Sequence, residues 1–348
     1  MKLPRTTAAD AALTDARLGR IVRLLTAHAT VVVSGTKIAG EIGTSRSEVW
    51  RLVQQLRALG VKIAGHPATG YRLESVPDLL LPEVIAPLVQ GTVFASHIHH
   101  YFKIGSTNVA AMDAAQRGEP EGGVFFSEEQ TAGRGRSGHT WHSARSVGLY
   151  VSLVLRPQLA PADALILSLV AGMAVARAVE EVTGLKPDLR WPNDLLIARE
   201  VVTASGERRL EERKFCGILT ELNAEATRVR YAVVGIGMNV NQQSFPAELQ
   251  PLATSLRIET GRAWSRVELA AALLKSLDRE YRAMIGDRTA ILRRFEEGSS
   301  YARGRRVHVD ENGGYEGTTE GLDARGFLQV RTSDRLKTVL SGGVRAIG

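Results

Sequence analysis

The chain of 348 residues holds a single cysteine, Cys216. One thiol excludes an internal disulfide framework and a cysteine-based zinc site. It suits a reducing compartment, and the cytoplasm is the expected location. No uninterrupted apolar run reaches the ~18 residues of a membrane span, so none is expected. The N-terminal stretch MKLPRTTAADAALTDARLGR lacks the apolar core of a signal peptide. The glycine-rich stretch AGRGRSG, residues 132–138, is no phosphate loop, because no Lys-Ser/Thr pair follows it. Nor does it carry a clear dinucleotide fingerprint, which needs G-x-G-x-x-G between a strand and a helix.

What is present is ordinary for a globular protein: 44% apolar and 23% charged residues. The length allows two or three domains. Charge is unevenly placed. Residues 1–75 hold eleven Lys/Arg against five Asp/Glu, which is +6 of the chain's +7. A basic module precedes a nearly neutral remainder, a balance that suits a nucleic-acid partner or simply a solvated basic surface.

The pattern divides the chain into three segments, 16–75, 85–295 and 301–348. In the first, Leu18, Ile21, Val22, Leu24 and Leu25 mark an amphipathic helix. A second helix is expected from Thr36 to about Ile42, then a turn at Gly43-Thr44. Ser45 caps a third helix, and Glu48 three residues on makes a capping box. Val49, Leu52, Val53, Leu56 and Leu59 form its buried stripe, and Gly60 stops it. The second and third helices make a helix-turn-helix. VKIAGHPATGYRL adds two short strands as a wing. Thr36, Lys37, Ser45, Arg46, Ser47, Trp50 and Arg51 are the candidate DNA contacts. Trp50 suits a base or sugar contact, or packing against the wing.

The middle segment reads as α+β with a mixed or largely antiparallel sheet. SVGLYVSLVLRP, DLRWPNDLLIA, KFCGILTEL and YAVVGIGMNV supply strands, and ADALILSLVAGMAVARAVEEVTG a helix ending at Gly184. The charged run REVVTASGERRLEER, residues 199–213, is expected to be an exposed loop extension. The last segment, with short strands between turns, suits a small β-barrel.

Four stretches of the middle segment could build one site: GSTN at 105–108, EEQTAGRGRSG around Gln130, RWPNDLL with Asp194, and RKFCGIL with Lys214 at a strand entrance. Arginine offers a charged planar fork and glycine lets the backbone come close, so the loop suits an anion gripped by side chain and main chain. Each stretch alone is weak. In this order, GSTN, Q-x-x-GRGR-x-G-x-x-W, WPND, K-x-x-G-I-L-x-E and G-x-G-x-N resemble the biotin–protein ligases. FPAELQPLATSLRIETG, residues 245–261, also resembles that family. The winged helix in front and the barrel behind resemble its bifunctional branch, which includes biotin operon repressors.

The resemblance implies a central domain like the class II aminoacyl-tRNA synthetases and an SH3-like C-terminal barrel. It implies that biotin and ATP, with Mg2+, form biotinyl-5′-adenylate. The biotinyl group then passes to a lysine of a biotin carboxyl carrier domain, such as that of acetyl-CoA carboxylase. Lys214, Arg136 and Asp194 would be catalytic. Ser106, Thr107, Asn108, Gln130, Arg134, Gly135, Arg136, Trp141, Lys214 and Gly217 would bind biotin. Gly133, Arg134, Arg136, Asn193 and Asn239 would bind nucleotide. Asp194 would hold a metal ion, or orient the acceptor lysine as a base. The resemblance also implies a homodimer when adenylate is bound, on two-fold operator DNA. Two positions depart from the family pattern. Arg190 precedes Trp191 where lysine is usual, and Ser137 stands where a second arginine often sits. Cys216 is expected to fill core space. Rival readings are a ligase whose winged helix no longer binds DNA, a biotin sensor without catalysis, and a lipoate or octanoate ligase, which GRGRSG and WPND fit poorly.

Overall fold

The structure is a computed structural model. It describes residues 8–28, 31–74, 78–202, 206, 208–311 and 313–347, with backbone alone for 8–15 and 202. Lys2 and Arg5, counted in the basic balance, lie outside the described residues, as do positions 203–205 and 207 of the charged run.

The first unit contains α1 (Ala8–Ala27), α2 (Gly35–Ile42), α3 (Arg46–Ala58), β1 (Ile63–His66) and β2 (Gly70–Leu73). Ser34 and Ser45 cap α2 and α3, each hydroxyl accepting from an amide three residues on, Lys37 N and Glu48 N. The reciprocal half of the expected capping box is missing, because the Glu48 carboxylate takes Arg51 instead, at 2.6 and 2.8 Å. Ile21, Leu25, Ile38, Val49, Leu52 and Leu56 are fully buried in one core. That core also takes in Leu79, Leu81 and Phe102 from beyond the unit, so the winged helix is packed against the start of the middle segment.

The short α4 (Pro82–Ile85) leads into a seven-stranded sheet. Its strands are β3 (Ile98–Tyr101), β4 (Val124–Ser127), β5 (Gly148–Leu155), β6 (Asp188–Arg190), β7 (Asp194–Val202), β8 (Arg208–Ala224) and β9 (Val229–Asn239). They run in the order β3-β4-β5-β9-β8-β7-β6, all antiparallel except β3 with β4. The helices are α5 (Thr107–Gln116), α6 (Leu165–Thr183), α7 (Leu256–Thr260), α8 (Arg266–Gly286) and α9 (Arg288–Glu297). Residues Pro161–Thr183 meet the length and apolarity of a membrane span, with mean hydropathy 1.8, although no such run was expected. The packing explains it: α6 buries Leu167, Leu169, Val170, Val175 and Val179 in the main core, while Arg177, Glu180 and Glu181 are exposed, so its apolar face has protein neighbours rather than lipid.

The charged run is also not a loop. Arg199 pairs with Glu211, Glu200 with Leu210 and Val202 with Arg208, so β7 and β8 continue as a two-stranded arm beyond β9. Glu212 on that arm accepts from Tyr301 Oη at 2.5 Å and from Arg305 at 2.9 Å, tying it to the C-terminal unit.

That unit is a five-stranded antiparallel sheet of β10 (Arg303–Val309), β11 (Tyr315–Leu322), β12 (Leu328–Arg331), β13 (Leu336–Thr338) and β14 (Val344–Ala346), in the order β13-β12-β11-β10-β14. Its Val307, Val309, Leu328 and Val330 belong to the same buried cluster as the central sheet. Trp191 Nε1 donates across the junction to Gly326 O at 2.9 Å.

Candidate functional site

The four stretches converge on one open cleft. Its floor is the middle of the sheet. Tyr150, Gly237 and Gly217 form one register row, and Ser152, Gly235 and Leu219 the next. Glycine is required here by close approach. A Cβ on Gly235 would lie 2.0 Å from Asn108 Oδ1, and one on Gly237 would lie 2.5 Å from Trp141 Nε1.

One wall is GSTN at the start of α5. Ser106 occupies the cap position without a side-chain cap bond and lines the cleft. Thr107 N and Oγ1 donate to Gln130 Oε1 at 2.9 and 3.1 Å, and Gln130 Nε2 donates to Ser143 Oγ at 2.9 Å. Ser152 Oγ lies 2.5 Å from Asn108 Oδ1 and 2.7 Å from Thr107 Oγ1. Asn108 Nδ2 donates to Glu221 Oε2 at 2.8 Å. These groups hold one another in fixed orientations, as buried polar groups must.

The glycine–arginine loop forms the opposite lip. Gly135 N donates to His139 O at 2.7 Å and Trp141 N to Gly133 O at 2.9 Å, folding the loop back on itself. Arg134 and Gly135 line the cleft, and Arg134 is largely exposed, 3.9 Å from Glu221. Arg136 is half-buried and donates to Asn193 Oδ1 at 3.1 Å. Burial lowers its pKa, against the pull of Asp194. Trp141 lies over Gly237, with its Nε1 buried and lacking a partner among the described residues.

Lys214 is not at a strand entrance but inside β8, at a bulge where Leu195 pairs with Cys216 and Leu196 with Lys214. Its main chain is clamped by residues 252–254: Lys214 N donates to Leu252 O at 2.8 Å, and Thr254 N to Lys214 O at 2.9 Å. Its Nζ lies 2.5 Å from Asp194 Oδ1 and 5.4 Å from the centre of the Trp141 ring. Arg190 donates to the other oxygen of Asp194 at 2.7 Å. Burial opposes the Asp194 charge, but Lys214 and Arg190 outweigh it and hold the carboxyl below its ordinary range.

Three expectations fail or shift here. Asp194 has a cation on each oxygen, and among the described residues no three His, Cys, Asp or Glu side chains group as metal ligands. The donor set does not fit a resident metal ion. Asn239 does not reach the cleft: its Nδ2 donates to Thr254 O at 3.1 Å and its Oδ1 accepts from Gln242 at 3.1 Å, fastening the clamp on Lys214. Gly133 does not line the cleft but packs within the loop, where a Cβ would meet Trp141 O at 2.5 Å. Ser106, Thr107, Asn108, Gln130, Arg134, Gly135, Arg136, Trp141, Asn193, Lys214 and Gly217 all line the cleft. Cys216 is buried core, its thiol pushed up by burial. Ser143, Ser152 and Glu221 were missed as supports. The signal available was a lone serine in the apolar run LYVSL and the glutamate closing GILTE.

On the winged helix, Thr36, Lys37, Ser45, Arg46, Ser47, Trp50 and Arg51 are all exposed. Three arginines on α3 are engaged. Arg46 donates to Pro67 O at 2.9 Å, Arg51 pairs with Glu48, and Arg57 donates to Ile63 O and Gly65 O at 2.8 Å. Trp50 stands out with 47% of its surface exposed.

A winged helix of the DNA-binding kind, joined to a cleft that sets cations over a glycine floor, defines a ligand-binding domain with a nucleic-acid-binding module. Known proteins agree. The biotin/lipoate A/B protein ligase family model matches residues 103–239, a helix-turn-helix domain 17–72, and the biotin protein ligase C-terminal domain 304–344. The bifunctional ligase/repressor BirA of Bacillus subtilis strain 168 is 32% identical over 329 residues, 93% of this chain and 97% of that protein. BirA of Escherichia coli K12 is 31% identical over 246 residues, 70% of each chain. The biotin protein ligase of Aquifex aeolicus in complex with biotin and ATP superposes with TM-score 0.60 at 28% identity, over 72% of this chain and 100% of that one. The chain belongs to the bifunctional ligase/repressor branch of the biotin protein ligases.

Proposed function

We propose that the chain activates biotin with ATP and transfers it to a lysine of a biotin carboxyl carrier domain, and that its winged helix represses transcription from operator DNA when adenylate is bound. The observation that carries the ligase reading is Lys214 and Arg136 lining one glycine-floored cleft. The biotin carboxylate attacks the α-phosphorus. An acyl–O–P bond forms, the bond to the β-phosphate oxygen breaks, and pyrophosphate leaves. Two anions must be brought together, and fixed cations screen their repulsion and meet the charge that builds on phosphate. Lys214 and Arg136 supply that charge. In the second step the acceptor's neutral amine attacks the acyl carbon, an amide forms, the acyl–O bond breaks, AMP leaves and the amine's proton passes to water.

Asp194, held below its ordinary carboxyl range, is a weak base. Its role is to orient Lys214. Magnesium enters with ATP, as part of the substrate. The buried Trp141 Nε1 offers a ready donor to a ligand oxygen. The division into 16–75, 85–295 and 301–348 follows from the same reading. So do a central fold like the class II aminoacyl-tRNA synthetases, an SH3-like closure of the C-terminal sheet, a homodimer in the adenylate-bound state, and a cytoplasmic location.

A second reading keeps the ligase and drops DNA binding, and the pairing of Arg51 with Glu48 on α3 favours it. One sample tests both. Purified protein with biotin, Mg-ATP and an acceptor domain is blotted for biotin, then tested for a mobility shift on DNA upstream of biotin synthesis genes. Transfer with an adenylate-dependent shift supports both halves. Transfer without a shift leaves the second reading, and a shift without transfer overturns the ligase.

A further inference from the structure

The turn at residues 340–342 belongs to the C-terminal sheet, yet it reaches the glycine–arginine loop. The Ser341 carbonyl accepts from Arg136 Nη2 at 3.2 Å, while Arg136 Nη1 donates to Asn193 Oδ1 at 3.1 Å. A guanidinium carries five N–H donors in one plane. Two acceptors, one on each arm, fix that plane and leave the other donors for a ligand anion.

One carboxylate holds the turn. Glu311 Oε1 accepts from Leu340 N at 3.0 Å, from Ser341 N at 2.9 Å and from Ser341 Oγ at 3.2 Å. The turn lies close against the chain behind it: Asp310 N donates to Gly343 O at 2.9 Å, and a Cβ on Gly342 would come 3.0 Å from Asp310 O. Glu311 is half-buried and forms no ion pair among the described residues. A carboxylate accepting three donors from two consecutive residues, with no cation of its own, fixes where the Ser341 carbonyl points.

We propose that Glu311 is a positioning residue of the ligase site, acting through the Ser341 carbonyl to set the plane of the Arg136 guanidinium against the nucleotide phosphate. This rests on the ligase reading above. The amides freed by losing Glu311 are exposed and find water, so the fold loses little. The site loses an orientation, and small misplacements at a reacting centre are costly to rate.

The test uses the full chain and biotin-dependent pyrophosphate exchange. Glu311→Ala is expected to lower kcat/KM for Mg-ATP about tenfold. It leaves KM for biotin within about twofold, because the ligase reading gives biotin's ring end to the GSTN wall rather than to the Arg136 fork. Glu311→Gln keeps an acceptor oxygen and recovers most of the loss. On an Arg136→Lys background, where the fork across Asn193 and Ser341 is gone, Glu311→Ala adds nothing further. Should Glu311→Ala fold poorly, Glu311→Asp keeps the charge, shortens the reach and enters the same cycle. An equal tenfold loss on the Arg136→Lys background, or unchanged kcat/KM for Mg-ATP, overturns the role of Glu311 alone. A wild-type chain without biotin-dependent exchange overturns the ligase reading, and this proposal with it.

Discussion

The recognition helix and the ligand cleft both concentrate positive charge, and they use it differently. On α3, Arg46 and Arg57 donate to carbonyls of the wing, and Arg51 to the carboxylate of Glu48. A carbonyl engages a guanidinium without neutralising it, whereas a carboxylate removes its net charge. Arg46 and Arg57 therefore brace the wing and keep their field, and Arg51 adds little net charge. In the cleft, Lys214 and Arg190 share the single carboxylate of Asp194, a net +1 for the three groups. Among the described residues, Arg136 has neutral acceptors only, and Arg134 lies 3.9 Å from Glu221. Counting basic residues ranks the winged helix first, but Arg51 adds little there, whereas Arg136 in the cleft keeps its charge and spare donors for an anion.

The largest expected effect lies where the two regions join. Glu128 is fully buried. It takes Arg266 at 2.7 Å, His100 at 3.2 Å, Leu80 N of the linker at 3.1 Å and Ser146 at the base of the glycine–arginine loop at 3.1 Å. Asp78 holds the other side of Arg266 at 3.1 Å. Breaking a buried pair from one side costs about 3–5 kcal/mol, so Glu128→Ala should lower the thermal midpoint by many degrees and cut both biotin transfer and DNA binding. Burial works against the Glu128 charge, but Arg266 and His100 prevail and hold its pKa at about 2. A depressed carboxyl stabilises the fold fully above its unfolded value. That contribution fades as pH falls from about 4.5 through about 2. The stability gap between wild type and Glu128→Gln should narrow over that window in acid-unfolding curves. A gap independent of pH would show that the pair is not ionised.

Next in size is Lys214→Ala, expected to slow adenylate formation on the order of 10²–10³-fold, the typical loss for one preorganised donor. The side chain is 29% exposed, and Asp194 keeps Arg190, so the melting temperature should stay close to wild type. Normal adenylation in a folded Lys214→Ala would reverse the ranking of the two regions. Trp50→Ala separates them further. With 47% of its surface exposed on α3, Trp50 packs little, and its removal should weaken DNA binding about tenfold. Biotin transfer should not change. Equal mobility shifts from both proteins would return Trp50 to surface packing.

The winged helix was legible because its signals are local. Ser45 caps α3 through an amide three residues away, and the stripe Val49-Leu52-Val53-Leu56 repeats with helical period. The cleft was legible through its motifs, which name the lining residues but not their partners. Asn239 sits in G-x-G-x-N like a ligand contact, yet its amide turns to Thr254, 15 residues on. The run at 199–213 reads as a loop because most of its side chains are polar or charged. Its strands pair through main chain and its anchor is Glu212 on Tyr301, 89 residues distant. Arg136 meets Ser341 across 205 positions. Contacts between stretches far apart in sequence leave no trace in spacing, and those are the contacts that decided which cations stay open.

The smallest expected effect is also the sharpest test of the carbonyl-versus-carboxylate distinction. Each phosphate contact made by a cation adds about 0.9 to the slope of log K against log salt on duplex DNA. Arg51 is paired with Glu48 at 2.6 Å, with Arg51 raised and Glu48 lowered by their hydrogen bond. Among the described residues, Arg46 has only the Pro67 carbonyl. Arg51→Ala should therefore leave the salt slope almost unchanged and cost less than threefold in affinity at low salt, since exposed pairs contribute about 0–1 kcal/mol. Arg46→Ala should flatten the slope by about one contact and also loosen the wing. Salt titrations of the mobility shift distinguish them. If Arg51→Ala flattens the slope as much as Arg46→Ala, then Arg51 leaves Glu48 for a phosphate on binding, and an acceptor's charge in the free protein does not predict which arginines reach DNA.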